Sequence, residues 1–142
     1  MSDVDLSGML ADASASGAYY VDEGGREALL EAARNLEFAF GAVDLSGHDD
    51  KDTVLARIAA ALRFPEWFGG NWDALSDSLN DLSWWPAEGY VLLLEHSHDW
   101  QQADPAGFDV LLDICNDAAA GWAEHGVPFW LLVAVPQGHL AL

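Results

Sequence analysis

Three carboxylates stand at helical spacing in the middle of the chain: Asp73, Asp77 and Asp81. Residues four apart share a helix face, so on a helix they form one ridge. Ser76 and Asn80 lie beside it. Such a ridge can accept charge-assisted hydrogen bonds from arginine or lysine, as a phosphate does. The plainer reading is a solvated face, with Asp73 in the first turn complementing the helix dipole. To work as an acid–base pair, Asp73 and Asp77 would need one raised pKa, through burial or a close like charge. They fall on the expected solvent face, where carboxylates stay ionised, and no serine, histidine or lysine partner is evident at a fixed spacing. Trp67, Phe68 and Trp72 cluster just before the ridge, around Gly69, Gly70 and Asn71. Aromatics at the margin of a charged patch suit an interface hot spot. Core packing is the alternative, more so for Trp72 than for Trp67. The paired glycines suit either a partner approaching the backbone or a plain tight turn.

The other candidates are weaker. His96 and His98 would share one face at a strand end, but with only Asp99 beside them they lack a placed third ligand. His48, His125 and His139 fall in no pattern. Cys115 lies on an apolar stripe and reads as core. The sequence contains no GxGxxG, Walker loop, HExxH or GxSxG. No catalytic residue, metal or cofactor is therefore expected.

The ridge needs a scaffold. Val54, Leu55, Ile58 and Leu62 recur at helical spacing, predicting a helix over 51–62 that Phe64-Pro65 stops. Asn71 is a good N-cap for the ridge helix, over 72–82. Tyr90–Glu95 is a continuous apolar strand of the kind buried on both faces. After the loop 83–89, with Trp84-Trp85-Pro86, and that strand, Asp104-Pro105 opens a long helix to about residue 124. Phe129–Val135 is a last strand. Before the ridge, 18–21 and 38–44 read as strands and 25–35 as a helix. Residues 1–16 read as a loose tail. Strands separated by helices favour a parallel sheet with right-handed crossovers.

Bulk properties narrow the function classes. The 142 residues suit one domain, and 51% hydrophobic content supplies a core. Five Lys+Arg against 24 Asp+Glu give a net charge of −19. That field repels nucleic acid and anionic membranes and attracts basic proteins. Solubility, or a salty cytoplasm, would explain it equally well. Cys115 is the single cysteine, so no internal disulfide forms, which fits a reducing compartment. Without a signal peptide or a long apolar run, a soluble cytoplasmic protein is expected.

The segment from Phe64-Pro65-Glu66-Trp67-Phe68-Gly69-Gly70-Asn71 through Trp72-Asp73-Ala74-Leu75-Ser76-Asp77-Ser78-Leu79 resembles the barstar family of ribonuclease inhibitors. The similarity extends over about 37–135. Residues 1–16 stand outside it as a tail, 17–36 as an added strand–helix unit, and 37–142 as the barstar-like domain. The resemblance implies an α/β fold with a small parallel sheet. Three core strands, or four with one at the N-terminus, would pack with four to five helices. It also implies that the ridge helix and its preceding loop plug the active site of a basic extracellular-type ribonuclease. Asp77 matches the carboxylate at the phosphate position, and Asp73 the one a turn earlier. Trp67 matches an aromatic contact, Gly69 the loop glycine, Asn71 the cap and Asn80 a polar contact. Asp117 falls near a later acidic contact. Phe68, Gly70, Ser76 and Asp81 complete the expected partner-binding set. Ser76 stands where a tryptophan is typical, Gly70 replaces a more polar residue, and the 83–89 loop is longer. These departures bear on which nuclease is bound. Immunity to another basic nuclease toxin, and mimicry of nucleic acid, are the alternatives. A homo-oligomer stays open.

Overall fold

The computed structural model describes residues 3–66 and 68–136. In chain order the elements are α1 (Asp3–Leu10), β1 (Ala18–Asp22), α2 (Arg26–Asn35), β2 (Ala39–Asp44), α3 (Lys51–Ala61), α4 (Trp72–Asp81), β3 (Tyr90–Glu95), α5 (His98–Ala103), α6 (Pro105–Ala123) and β4 (Phe129–Val135). Two short 3₁₀ turns flank β1. The sheet is four-stranded and wholly parallel, in the order β1-β4-β3-β2. Among the described residues, four strands and six helices make it α/β, as expected, with the N-terminal strand present and one helix more than the four to five expected.

Side chains alternate across a strand, and β3 divides its own between two cores. Tyr90, Leu92 and Leu94 join Val54, Leu55, Ile58, Leu75, Leu79 and Leu111 on the face covered by α3, α4 and α6. Val91 and Leu93 join Leu10, Leu29, Ala32, Ala33 and Trp130 on the other. Burial on both faces explains why β3 and β4 read as unbroken apolar runs.

Local chemistry sets the helix boundaries. Asp50 caps α3 by accepting from the Thr53 amide at 2.9 Å. Asp104 caps α6 by accepting from the Gly107 amide at 3.0 Å, with Pro105 at the first helical position. Helix α3 ends where Arg63 turns left-handed (φ 59°) and the Phe64 amide reaches back to the Ala59 carbonyl at 2.8 Å. Gly41 sits where a methyl group would come within 2.9 Å of the Ala61 carbonyl, so its missing side chain lets α3 lie close on β2.

Two expectations are corrected and one further helix is found. Residues 3–10 are helical rather than loose, because Leu10 is fully buried and its carbonyl accepts from the Trp130 indole at 3.0 Å. Helix α5, unforeseen, is pinned by the fully buried Trp100. His96 and His98 do not share a strand face. His96 leaves β3 in a left-handed conformation (φ 55°), and His98 opens α5.

Candidate functional site

The ridge sits on α4 because the helix has one apolar face and a good cap. The Asn71 side chain accepts from the Ala74 amide at 2.8 Å. Leu75, Ser78 and Leu79 are buried, and Leu82 closes the helix in a left-handed turn (φ 50°). That orientation leaves Asp73, Asp77, Asn80 and Asp81 exposed, with Ser76 half-buried beside them. Asp73 is in the first turn, where a negative charge complements the helix dipole. Asp77 and Asp81 lie toward the negative end, and the last turn holds no basic residue. The ion pairs found among the described residues both belong to Arg26. The ridge therefore keeps its acceptors free at some cost in helix stability.

The neighbouring residues differ in role. Asn80 donates to the Ser76 carbonyl at 2.7 Å, so its amide nitrogen is engaged and its orientation fixed. Gly69 and Gly70 are exposed, and Gly70 adopts φ 69°, a backbone conformation that favours glycine. Phe68 is half-buried and packs edge-on against Phe64, with ring centroids 4.9 Å apart. It anchors the loop to the core. Trp72 also packs on the core. Trp67 lies outside the described residues.

Asp117 is exposed on α6, which packs against α4. One turn later, Gly121 faces Asn80, and the Trp122 indole donates to the Leu79 carbonyl at 2.7 Å. Asp117 thus stands on the flank of α6 nearest the ridge. Asn80, Gly121, Trp122, Glu124 and His125 line a groove of about 250 Å³ there. Trp122 was legible only as part of an apolar stripe; nothing in its spacing signalled that it braces α4. A larger cleft, about 600 Å³, opens at the carboxyl ends of the strands between Tyr20, Glu23, Ser46, His96 and His98. Its lining includes none of the ridge residues. Among the described residues, no group of three or more His, Cys, Asp or Glu is arranged to hold a metal. Burial pushes the Cys115 thiol up to about 12, which keeps it protonated. No helix among the described residues is long and apolar enough to cross a membrane.

Fold and site together define a parallel α/β protein that presents a capped acidic helix behind a glycine-containing loop. The chain belongs to the Barstar (barnase inhibitor) family, whose model matches residues 38–134. That is a family of inhibitors, not of catalysts. No curated protein matches the sequence. Among solved structures, a chain in "Structure of Drosophila ORC bound to DNA" is similar, with a TM-score of 0.60 and 15% identity. The match covers 96% of the present chain and 37% of that one, so the present chain spans little more than a third of its length. At that identity the likeness concerns the fold alone.

Proposed function

We propose that the protein inhibits a basic ribonuclease by laying α4 and the loop before it into the enzyme's phosphate-binding cleft. One observation carries this reading: Asp77 and Asp81 stand exposed near the negative end of α4, with no basic residue in its last turn. Helix stability would favour lysine or arginine there. A row of free carboxylates is instead suited to arginines that normally grip phosphate. Asp77 is the phosphate mimic in this arrangement, and Asp73 serves both cap region and partner. Gly69, Gly70, Asn80 and Asp117 border the same surface. The −19 charge steers a basic partner toward it. The single, buried Cys115 is compatible with action in the cytoplasm.

Mixing the protein with secreted guanyl-type ribonucleases, and following RNA cleavage, tests the proposal. Stoichiometric loss of cleavage is expected for at least one basic enzyme. Undiminished cleavage across a broad basic set would overturn it. Ser76, in place of the family's usual tryptophan, and the Trp84-Trp85 loop favour a second reading, immunity to a different basic nuclease toxin. Capture of a DNase or a tRNA nuclease by the same helix would select it.

A further inference from the structure

The Trp84-Trp85 pair lies in the connection between α4 and β3, yet its contacts run sideways, to the segment that precedes α4. The Trp84 indole N–H donates to the Leu62 carbonyl at 3.1 Å, across 22 positions of sequence. Its ring meets the Phe64 ring edge-on, at 5.6 Å and 80°. Phe64 in turn meets Phe68 edge-on, at 4.9 Å and 68°. The guanidinium of Arg63 lies 4.0 Å over the Trp85 ring. The loop 83–89 is itself fixed at its far end, where the Tyr90 hydroxyl donates to the Trp85 carbonyl at 2.8 Å. Residues 62, 63 and 64 are thus held from one side by two adjacent tryptophans, and Phe68 is held through Phe64.

We infer that Trp84 is a positioning residue: through Leu62 and Phe64 it holds Phe68 in place ahead of α4 before any partner arrives. The inference rests on the inhibitor reading for its purpose, but its structural content stands apart from it. A flexible glycine-containing loop loses entropy when it is ordered on binding, and a preformed one has already lost it. The Phe68 amide donates to the Pro65 carbonyl at 3.1 Å, a bond whose exchange reports how firmly Phe68 is held. Arg63, one of five Lys and Arg residues, has its guanidinium over the Trp85 ring.

Amide hydrogen exchange on the free protein tests the inference without a partner. In Trp84→Ala, the Phe68 amide should exchange about tenfold faster, while Leu92–Leu94 in β3 change only as far as global stability does. Trp84→Phe keeps the ring contact and loses the indole hydrogen bond, so it should restore most of the protection. Phe68 exchange unchanged in Trp84→Ala, or accelerated no more than that of β3, would overturn it. Against a guanyl-type ribonuclease that the wild type inhibits, Trp84→Ala should dissociate about tenfold faster with little change in association rate, and Trp84→Phe should recover. Equal dissociation rates for wild type and Trp84→Ala would also overturn it. If the wild type inhibits no such enzyme, the inhibitor reading fails, and the exchange result alone decides the role of Trp84.

Discussion

Asp73 and Asp77 are both exposed on α4, but the helix treats them differently. Asp73 gains from the positive end of the dipole, and Asp77 sits beyond the helix midpoint. Asp77→Ala should therefore leave thermal stability unchanged or slightly raised, while weakening ribonuclease binding by roughly 2–5 kcal/mol, the scale for truncating one partner of a buried interfacial charge pair. Asp73→Ala should cost less affinity and also lower stability by about 0.3–1 kcal/mol. Calorimetric titration and thermal melts on the same two variants separate these effects. The ridge and its i, i+4 spacing were legible in sequence, since spacing and the Asn71 cap are local. The roles of Phe68 and Trp122 were not, because each depends on what a distant segment places beside it: Phe64 and the Leu79 carbonyl respectively. Cys115 is a simpler case. With its thiol raised to about 12, it should resist alkylation at mildly alkaline pH in the native protein and react once the chain is unfolded.

At the scale of elements, the strands and long helices followed from apolar periodicity, and α1 and α5 did not. Asp3–Leu10 has no amphipathic stripe to read; it is held by burial of Leu10 and by the Trp130 indole bond. Leu10→Ala should accordingly destabilise the protein by about 2–5 kcal/mol, as for other buried leucines, and denaturant unfolding measures it. Helix α5 is six residues long and is fixed by a single buried side chain, Trp100, too short a pattern to register. Caps connect elements to pH. Hydrogen bonds from the Thr53 amide and hydroxyl hold the Asp50 carboxyl below the usual range, and those from Ser46 do the same for Asp44. A carboxyl with a depressed folded pKa adds stability above its unfolded pKa and loses it as pH falls through the folded value. Stability should thus decline through the acidic carboxylate range, and Asp50→Asn should make that decline shallower in pH-dependent melts.

For the whole molecule, charge sets the kinetics rather than the fold. A net charge of −19 generates a field reaching about one Debye length, roughly 8 Å at physiological salt. Association with a basic ribonuclease should slow steeply as salt is raised, while dissociation changes little, a split that stopped-flow mixing resolves. The second apolar face, covered by α1 and α2, is what allows a sheet with such apolar central strands to exist in this chain. The site helix lies on the opposite face, so the N-terminal unit supports the sheet without contributing to the ridge. The most direct test of the central claim is an RNA-cleavage titration of a basic guanyl-type ribonuclease with wild-type protein and with Asp77→Ala. Wild type should inhibit at equimolar ratio, and Asp77→Ala should need at least about thirtyfold more protein, the equivalent of 2 kcal/mol. Equal inhibition by the two proteins, or none by the wild type, would contradict the assignment of α4 as the inhibitory element.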